Sequence, residues 1–134
     1  MRILTVIVEK TGTGYSGYLP DVPGIAVAAD TFGELRERTV EAIALYVETS
    51  REFGEAVPEV LTENYDLYFR FDIQAFMQWM SKTMSQRGLS EIADMNESLI
   101  SQYASGIKKP GSKQLKRIEK AIHRFADDLH AISF

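Results

Sequence analysis

The first half of the chain alternates short apolar runs with turns rich in glycine and proline, a pattern typical of β-strands. A continuous run of apolar and β-branched residues, Ile3–Val8, predicts a strand that is central in a sheet or buried on both faces. The turns at Lys10–Gly14 and Pro20–Gly24 contain the residues that chain reversals favour. The pattern therefore predicts two further strands, at Tyr15–Leu19 and Ile25–Ala29.

An amphipathic helix is predicted after these three strands. Thr31 can accept a hydrogen bond from the backbone of Glu34 while the Glu34 carboxylate reaches back, which is the reciprocal capping pattern of a helix start. Apolar residues then recur at helical spacing, at Leu35, Ala42, Ile43, Tyr46 and Val47. An aromatic-rich run at Asp66–Asp72 predicts a fourth strand. The predicted order over residues 1–72 is β-β-β-α-β.

The second half of the chain shows helical spacing throughout. Ser112 is placed to cap a long helix, whose apolar residues are Leu115, Ile118, Ile122, Phe125 and Leu129. The change of pattern near Asp72 and Ile73 predicts a domain boundary without a flexible linker. We therefore expect an α+β protein, with a small mixed domain at residues 1–72 and an all-α domain of four or five helices at residues 73–134.

The segment Gln86–Gly106 has the apolar spacing of two short helices that share a core at a steep angle. The apolar residues are Leu89, Ala93, Met95, Ile100 and Tyr103, and Ser90 is small enough for close helix approach. The second helix is predicted to expose Leu99 and short polar side chains, which can reach base edges in the major groove of DNA. The candidate DNA-binding residues are Gln86, Asn96, Glu97, Ser98, Ser101, Gln102, Lys108, Lys109 and Lys113.

Residues 73–129 resemble the DNA-binding domain of the Cro/C1 (XRE-like) helix-turn-helix family. The clearest marks are the helix Asn96–Tyr103 and the exit Gly106–Pro110, because that family ends its recognition helix with a glycine, a basic pair and a proline. The sequence departs from the family at Asp94, where Gly is usual, and at Ser90, where Ala is usual. Asp adopts the left-handed conformation more readily than most residues, so the turn is still expected. The alternative is an all-helical packing module that never contacts DNA.

Charge separates the two halves of the 134-residue chain, whose net charge is -4. Residues 1–74 carry six Lys and Arg against 13 Asp and Glu, a net of -7, whereas residues 75–134 carry nine against six, a net of +3. The basic half is therefore the candidate for nucleic-acid binding. The basic residues after the predicted recognition helix are candidates for phosphate contacts: Lys108, Lys109, Lys113, Lys116, Arg117 and Lys120.

Taken with the second half, residues 1–50 resemble the HicB antitoxin family. The match is carried by the apolar first strand, by Gly17–Ile25, by Ala28–Glu34 and by the helix through Glu41–Ile43. The resemblance implies a truncated, partial RNase H-like fold and the antitoxin of a type II toxin–antitoxin system. Its first domain would block a small, mRNA-cleaving, HicA-like toxin, and its second would bind operator DNA and repress the shared operon. The toxin-binding face is not defined by the sequence, although Tyr18 and Asp21 are candidates.

Two other functions stay open at this point. One is a stand-alone transcriptional regulator whose first domain senses a ligand or oligomerises. The other is a degenerate nuclease, which needs several carboxylates to converge on two metal ions; the available side chains are those of Asp21, Asp30, Glu34 and Asp72. Since Asp21 lies between turn prolines and capping accounts for Glu34, we expect no enzymatic activity.

The remaining features exclude other classes of site. The chain has no cysteine, which rules out disulfides, thiolate metal ligands and a cysteine nucleophile. Gly12–Gly17 matches the spacing of a dinucleotide-binding loop but precedes a strand, so it is expected to be a hairpin. We therefore expect no metal or cofactor. No apolar run approaches the roughly 18 residues of a membrane span, so we expect no membrane span and a cytoplasmic location. A homodimer or higher homo-oligomer is expected because two recognition helices would enter successive grooves of a symmetric operator.

Overall fold

A computed structural model describes residues 2–134 and confirms an α+β fold. The chain divides into two compact units, unit 1 (Met1–Asp72) and unit 2 (Ile73–Phe134). Unit 1 contains strands β1 (Arg2–Lys10), β2 (Tyr15–Tyr18), β3 (Ala26–Ala29) and β4 (Tyr65–Phe71), helix α1 (Phe32–Glu52) and a 3₁₀ helix, Glu59–Leu61. Unit 2 contains helices α2 (Ile73–Met80), α3 (Gln86–Ala93), α4 (Glu97–Ser105) and α5 (Ser112–Ala131).

The strand order in the sheet of unit 1 is β3-β2-β1-β4. β1 pairs antiparallel with β2 and parallel with β4, and β2 pairs antiparallel with β3. A parallel pair needs a crossover connection, which here contains β2, β3 and α1. The prediction of a central first strand is confirmed, because β1 has a neighbour on each side.

Helix α1 covers one face of this sheet. Leu4, Val6 and Val8 of β1 are buried and alternate with more exposed residues, as the two-residue period of a strand requires. A Cβ atom on Gly17 would lie 3.2 Å from Val6 Cγ1 and 3.5 Å from Leu35 Cδ2. Gly17 therefore permits the close approach of helix and sheet that positions the core of unit 1.

The Thr31 cap predicted at the start of α1 is confirmed, whereas the Glu34 carboxylate, which was predicted to reach back to the helix start, lies instead beside Arg38. Thr31 Oγ1 accepts a hydrogen bond from Glu34 N at 3.1 Å, while the Glu34 carboxylate lies 3.9 Å from Arg38 Nη2, one turn along the helix. Within α1, Thr39 is fully buried and donates a hydrogen bond to Leu35 O at 2.7 Å, which satisfies its hydroxyl. The apolar spacing did not single out Thr39 as a core residue.

Unit 2 has its own core, formed by residues from four helices. Its buried members are Met77, Leu89, Ile100, Tyr103 and Ile118. The long helix α5 begins where it was expected, but without the expected side-chain cap. Its N-cap is Gly111, which has no side chain for capping, and Ser112 is the first helical residue, so the prediction of a Ser112 cap was wrong.

Candidate functional site

Two short helices of unit 2, α3 and α4, are held in place by side-chain caps. Ser85 Oγ accepts a hydrogen bond from Gly88 N at 3.0 Å at the start of α3, and Asn96 Oδ1 accepts one from Ser98 N at 2.7 Å at the start of α4. Asp94, between the helices, has φ 51° and ψ 51° and is the one non-glycine residue with positive φ in residues 2–134. The left-handed turn expected at Asp94 is confirmed, and it lets α4 leave in a new direction directly after α3.

Arg117 of α5 donates hydrogen bonds to the backbone of this turn. Its Nε donates a hydrogen bond to Ala93 O at 3.2 Å, and its Nη2 donates one to Asp94 O. The same guanidinium lies 3.8 Å from the Asp94 carboxylate, although that ion pair is exposed. The carbonyls at the end of α3, which have no partner within the helix, are thus satisfied by a planar cation that can donate several hydrogen bonds at once.

The placement of Arg117 changes its interpretation. The sequence places it among the candidates for phosphate contacts, but the structure directs its guanidinium to the turn between α3 and α4. No local signal in the sequence pairs Arg117 with Asp94, because 23 residues separate them. Arg117 is therefore a residue that positions α4.

The inner face of α4 is anchored in the core of unit 2. Ile100 and Tyr103 are buried, and Leu99 is half-buried against the same cluster, so the prediction that Leu99 is exposed was wrong. At the end of α4, Gly106 has φ 82°, and a Cβ atom there would lie 2.6 Å from Gln74 Nε2. Gly106 is thus favoured for its left-handed backbone conformation, whereas the nearby Gln74 amide is the end of a flexible side chain that can move aside.

The outer face of α4 displays the polar side chains that the sequence singles out. Ser98, Ser101 and Gln102 are spaced three and four residues apart and so share one side of the helix; the two serines are exposed and Gln102 is half-buried. Glu97 is exposed beside them in the first turn. Asn96 lies just before the helix, and the capping hydrogen bond already uses its side-chain oxygen.

The other candidate DNA-binding residues lie on different elements of unit 2. Gln86 is the exposed first residue of α3. Lys108 and Lys109 are exposed in the loop after α4, and Lys113 is exposed in the first turn of α5. Unit 2 thus carries a short polar row on one helix and basic side chains in the segment that follows it.

Unit 1 has a different kind of exposed surface, on the side of the sheet that faces away from α1. We call it the outer sheet face. Its large exposed side chains are Ile3, Tyr18 and Tyr68, with exposed fractions of 53%, 42% and 52%. Tyr18 is opposite Ile7 in the sheet, and Tyr68 is opposite Thr5, so both tyrosines flank β1. Asp21 is exposed in the turn after β2, three residues from Tyr18.

An open groove of about 450 Å³ lies between α1 and the start of β4. Most of its lining is apolar, and the residues are Val40, Ile43, Ala44, Val47, Glu48, Arg51, Leu61 and Tyr65. The sequence did not predict this groove. The helix side of the sheet also contains Tyr15, whose ring centroid lies 6.1 Å from that of Phe71, and burial raises the pKa of the Tyr15 hydroxyl above its ordinary value.

The described part of the chain offers little for a metal ion or a membrane. Among residues 2–134 there is no group of three or more His, Asp and Glu side chains placed to hold a metal. The helices in the same range are each too short or too polar to cross a bilayer.

Comparison with known proteins shows which family the chain belongs to. A family model described as the HicB-like antitoxin of bacterial toxin–antitoxin systems matches residues 4–80, more than half of the chain. An uncharacterized 14.9 kDa protein from the rep–hol intergenic region of Haemophilus phage HP1 (strain HP1c1) is 37% identical over 54 residues. That match covers 40% of this chain and 41% of the phage protein. No solved structure matches the chain.

Proposed function

Because the chain belongs to the family of HicB-like antitoxins of bacterial toxin–antitoxin systems, we propose that each of its units has a separate task. Unit 1 binds and inhibits an mRNA-cleaving, HicA-like toxin. Unit 2 is a helix-turn-helix domain that binds operator DNA as a homodimer and represses its own operon. Since the proposed partners are operator DNA and a toxin that cleaves mRNA, we infer that the protein acts in the bacterial cytoplasm.

The observation that carries the DNA-binding proposal is the polar row on α4, a helix that follows the turn to which Arg117 donates hydrogen bonds. Ser98, Ser101 and Gln102 are short or medium polar side chains on one helix side, a set that suits hydrogen bonds to base edges. Lys108, Lys109 and Lys113 follow on exposed positions and would contact phosphates, which orient a protein on DNA without reading its sequence. The net charge of +3 in residues 75–134 supports the same assignment.

The toxin-binding proposal is supported by the charge and the exposed side chains of unit 1. A toxin that binds RNA needs a basic surface, and residues 1–74 carry a net charge of -7. Opposite potentials accelerate association and disfavour wrong partners. The outer sheet face also exposes Tyr18 and Tyr68, and tyrosine is enriched among residues that dominate binding energy. We therefore assign the toxin to the outer sheet face and the adjoining turn at Asp21.

Two measurements with the full chain test this function. Footprinting on the DNA upstream of its own gene should show two-fold symmetric protection, with half-sites about 10 bp or a multiple apart, because two recognition helices must enter successive major grooves. Protection of one asymmetric half-site would contradict the dimeric repressor. Co-expression with the neighbouring toxin gene should restore growth, and continued growth arrest with soluble antitoxin would contradict toxin inhibition.

The groove beside α1 favours a second candidate function, a stand-alone regulator whose unit 1 senses a small ligand. Its apolar lining and open mouth suit a small apolar molecule better than a charged one. The neighbouring gene distinguishes the two candidates. A regulator of this kind would repress its operator normally and would have no effect on a co-expressed RNA-cleaving protein.

A further inference from the structure

Strand β4 ends the sheet of unit 1, so one of its edges has no neighbouring strand in the described chain. β4 is seven residues long, and its outer-face and helix-side residues alternate regularly. Asp66, Tyr68 and Arg70 lie on the outer sheet face, and Leu67 and Phe69 lie on the helix side. A long, regular edge strand is a template for pairing with another strand.

The sequence of β4 is complementary to itself when it is reversed about Tyr68. In an antiparallel pair of two copies with a two-fold axis through Tyr68, Asp66 of each copy lies opposite Arg70 of the other. Leu67 then lies opposite Phe69, and the two Tyr68 residues face each other. Opposite charges and aromatic or apolar side chains are the directly opposed pairs that stabilise a sheet. A shift of the register by two residues places Asp66 opposite Tyr68 and loses both charge pairs.

The two charged residues are available for this pairing. Asp66 and Arg70 are exposed, and neither has an ion-pair partner within residues 2–134. The other edge strand, β3, is four residues long and has the sequence Ala-Val-Ala-Ala, so it offers no charges to define a register. The charge pattern of β4 thus favours a second copy of the same strand over an unrelated one.

We propose that two copies of this protein pair through β4 and form a continuous, eight-stranded sheet. The groove beside Tyr65 is consistent with this, because it leaves apolar surface of α1 uncovered at the start of β4, where a second copy can extend over it. The interface uses unit 1 alone and stands whether or not unit 2 binds DNA. With a two-fold axis at this position, both copies use the same surface for the contact, as a closed dimer requires.

A disulfide cross-link tests the register directly, because the chain has no native cysteine. In Tyr68→Cys the two new thiols face each other at the axis. Directly opposed residues of antiparallel strands have Cα atoms about 4.5–5.5 Å apart, within the range that a disulfide spans. The full chain with Tyr68→Cys should form a covalent dimer under mild oxidation. Ala28→Cys, exposed on β3, is the matched control. Pairing through β4 does not bring the two substituted β3 positions within disulfide distance, so this variant should cross-link at least about tenfold more slowly.

Charge exchange supplies the second part of the test. In the Tyr68→Cys background, Asp66→Arg places like charges opposite each other, as does Arg70→Asp, and each should slow cross-linking at least about fivefold. The double variant Asp66→Arg with Arg70→Asp restores both pairs and should recover the rate to within about twofold. Circular dichroism checks that each variant is folded.

Four results would overturn the proposal. One is equal cross-linking of Ala28→Cys and Tyr68→Cys. Another is a cross-linking rate that neither single charge change lowers in folded protein. The third is failure of the folded double variant to recover. A sedimentation mass of a single chain for the unmodified protein, at the concentrations that cross-link, would also contradict it.

Discussion

The two units of this protein present their candidate binding surfaces in different ways. In unit 2, the polar row Ser98, Ser101 and Gln102 comes from a single helix and is set by helical spacing. In unit 1, Tyr18 and Tyr68 belong to strands 50 residues apart in sequence and flank β1 only because the sheet forms. A candidate surface on one helix can therefore be located from a short segment, whereas a sheet surface depends on the whole topology.

The units also differ in how their surfaces depend on the core beneath. Helix α4 is oriented by a few contacts: the buried side chains of Ile100 and Tyr103 and the hydrogen bonds of Arg117 to the turn. The outer sheet face is supported along β1 by strand pairing, with β4 over Arg2–Val8 and with β2 over Ile7–Lys10. We expect single substitutions to displace the polar row of unit 2 more easily than the outer sheet face.

The largest expected effect comes from removing a buried side chain of unit 2. Ile100 is fully buried, and Ile100→Ala should lower the free energy of unfolding of unit 2 by about 2–5 kcal/mol through lost burial and a cavity. The chain has one tryptophan, Trp79, and it lies in α2, so denaturant titration followed by tryptophan fluorescence reports on unit 2.

Val6→Ala is the matched change in unit 1, because Val6 is also fully buried. It should leave the Trp79 transition at the wild-type midpoint. An equal shift of that transition by both variants would show that the two units unfold as one, and the comparison between them would fail.

The next largest effect is expected at the outer sheet face. Tyr18→Ala should weaken toxin binding by about 2 kcal/mol, as truncation of a tyrosine at the centre of an interface does. Leu45→Ala is the control, since Leu45 is a large side chain of unit 1 with 63% exposure but lies on α1. Isothermal titration with purified toxin measures both. A loss with Leu45→Ala and none with Tyr18→Ala would move the toxin to the helix side.

Base reading and phosphate contact can be separated within unit 2. Gln102→Ala should cost about 1–3 kcal/mol on operator DNA and leave binding to scrambled DNA nearly unchanged, because it removes a base contact. Lys109→Ala should weaken both DNAs alike and reduce the salt dependence by about one unit of slope. Salt titrations of both variants on both DNAs provide the measurement. Equal weakening of the two DNAs by Gln102→Ala would show that α4 does not read bases.

The smallest effect is expected from loosening the turn between α3 and α4. Arg117→Met keeps the aliphatic stem but removes both hydrogen bonds to backbone carbonyls, and should lower the stability of unit 2 by about 1 kcal/mol. DNA binding should weaken on every sequence, with the salt dependence unchanged. A flatter salt dependence, like that expected for Lys109→Ala, would mean that the guanidinium contacts phosphate instead.

Much of the fold follows from interactions between residues that are close in sequence. The Thr31 cap and the positive φ of Asp94 were predictable because caps and turns involve residues at most a few positions apart. The order of strands and helices followed from the two periods of apolar residues. The change of period at Asp72 and Ile73 coincides with the division into two compact units.

The tertiary structure alone decided which residues far apart in sequence are in contact. Arg117 has the same charge as its lysine neighbours, and only the path of the chain brings it to Ala93 and Asp94. The parallel pairing of β1 with β4 made β4 an edge strand and placed Tyr68 beside β1, although neither strand shows this in its own pattern. Local sequence determines which elements form, because their periods and caps are short-ranged. The partners of each element depend on how several of them bury apolar surface together, and that is settled only when the chain is folded.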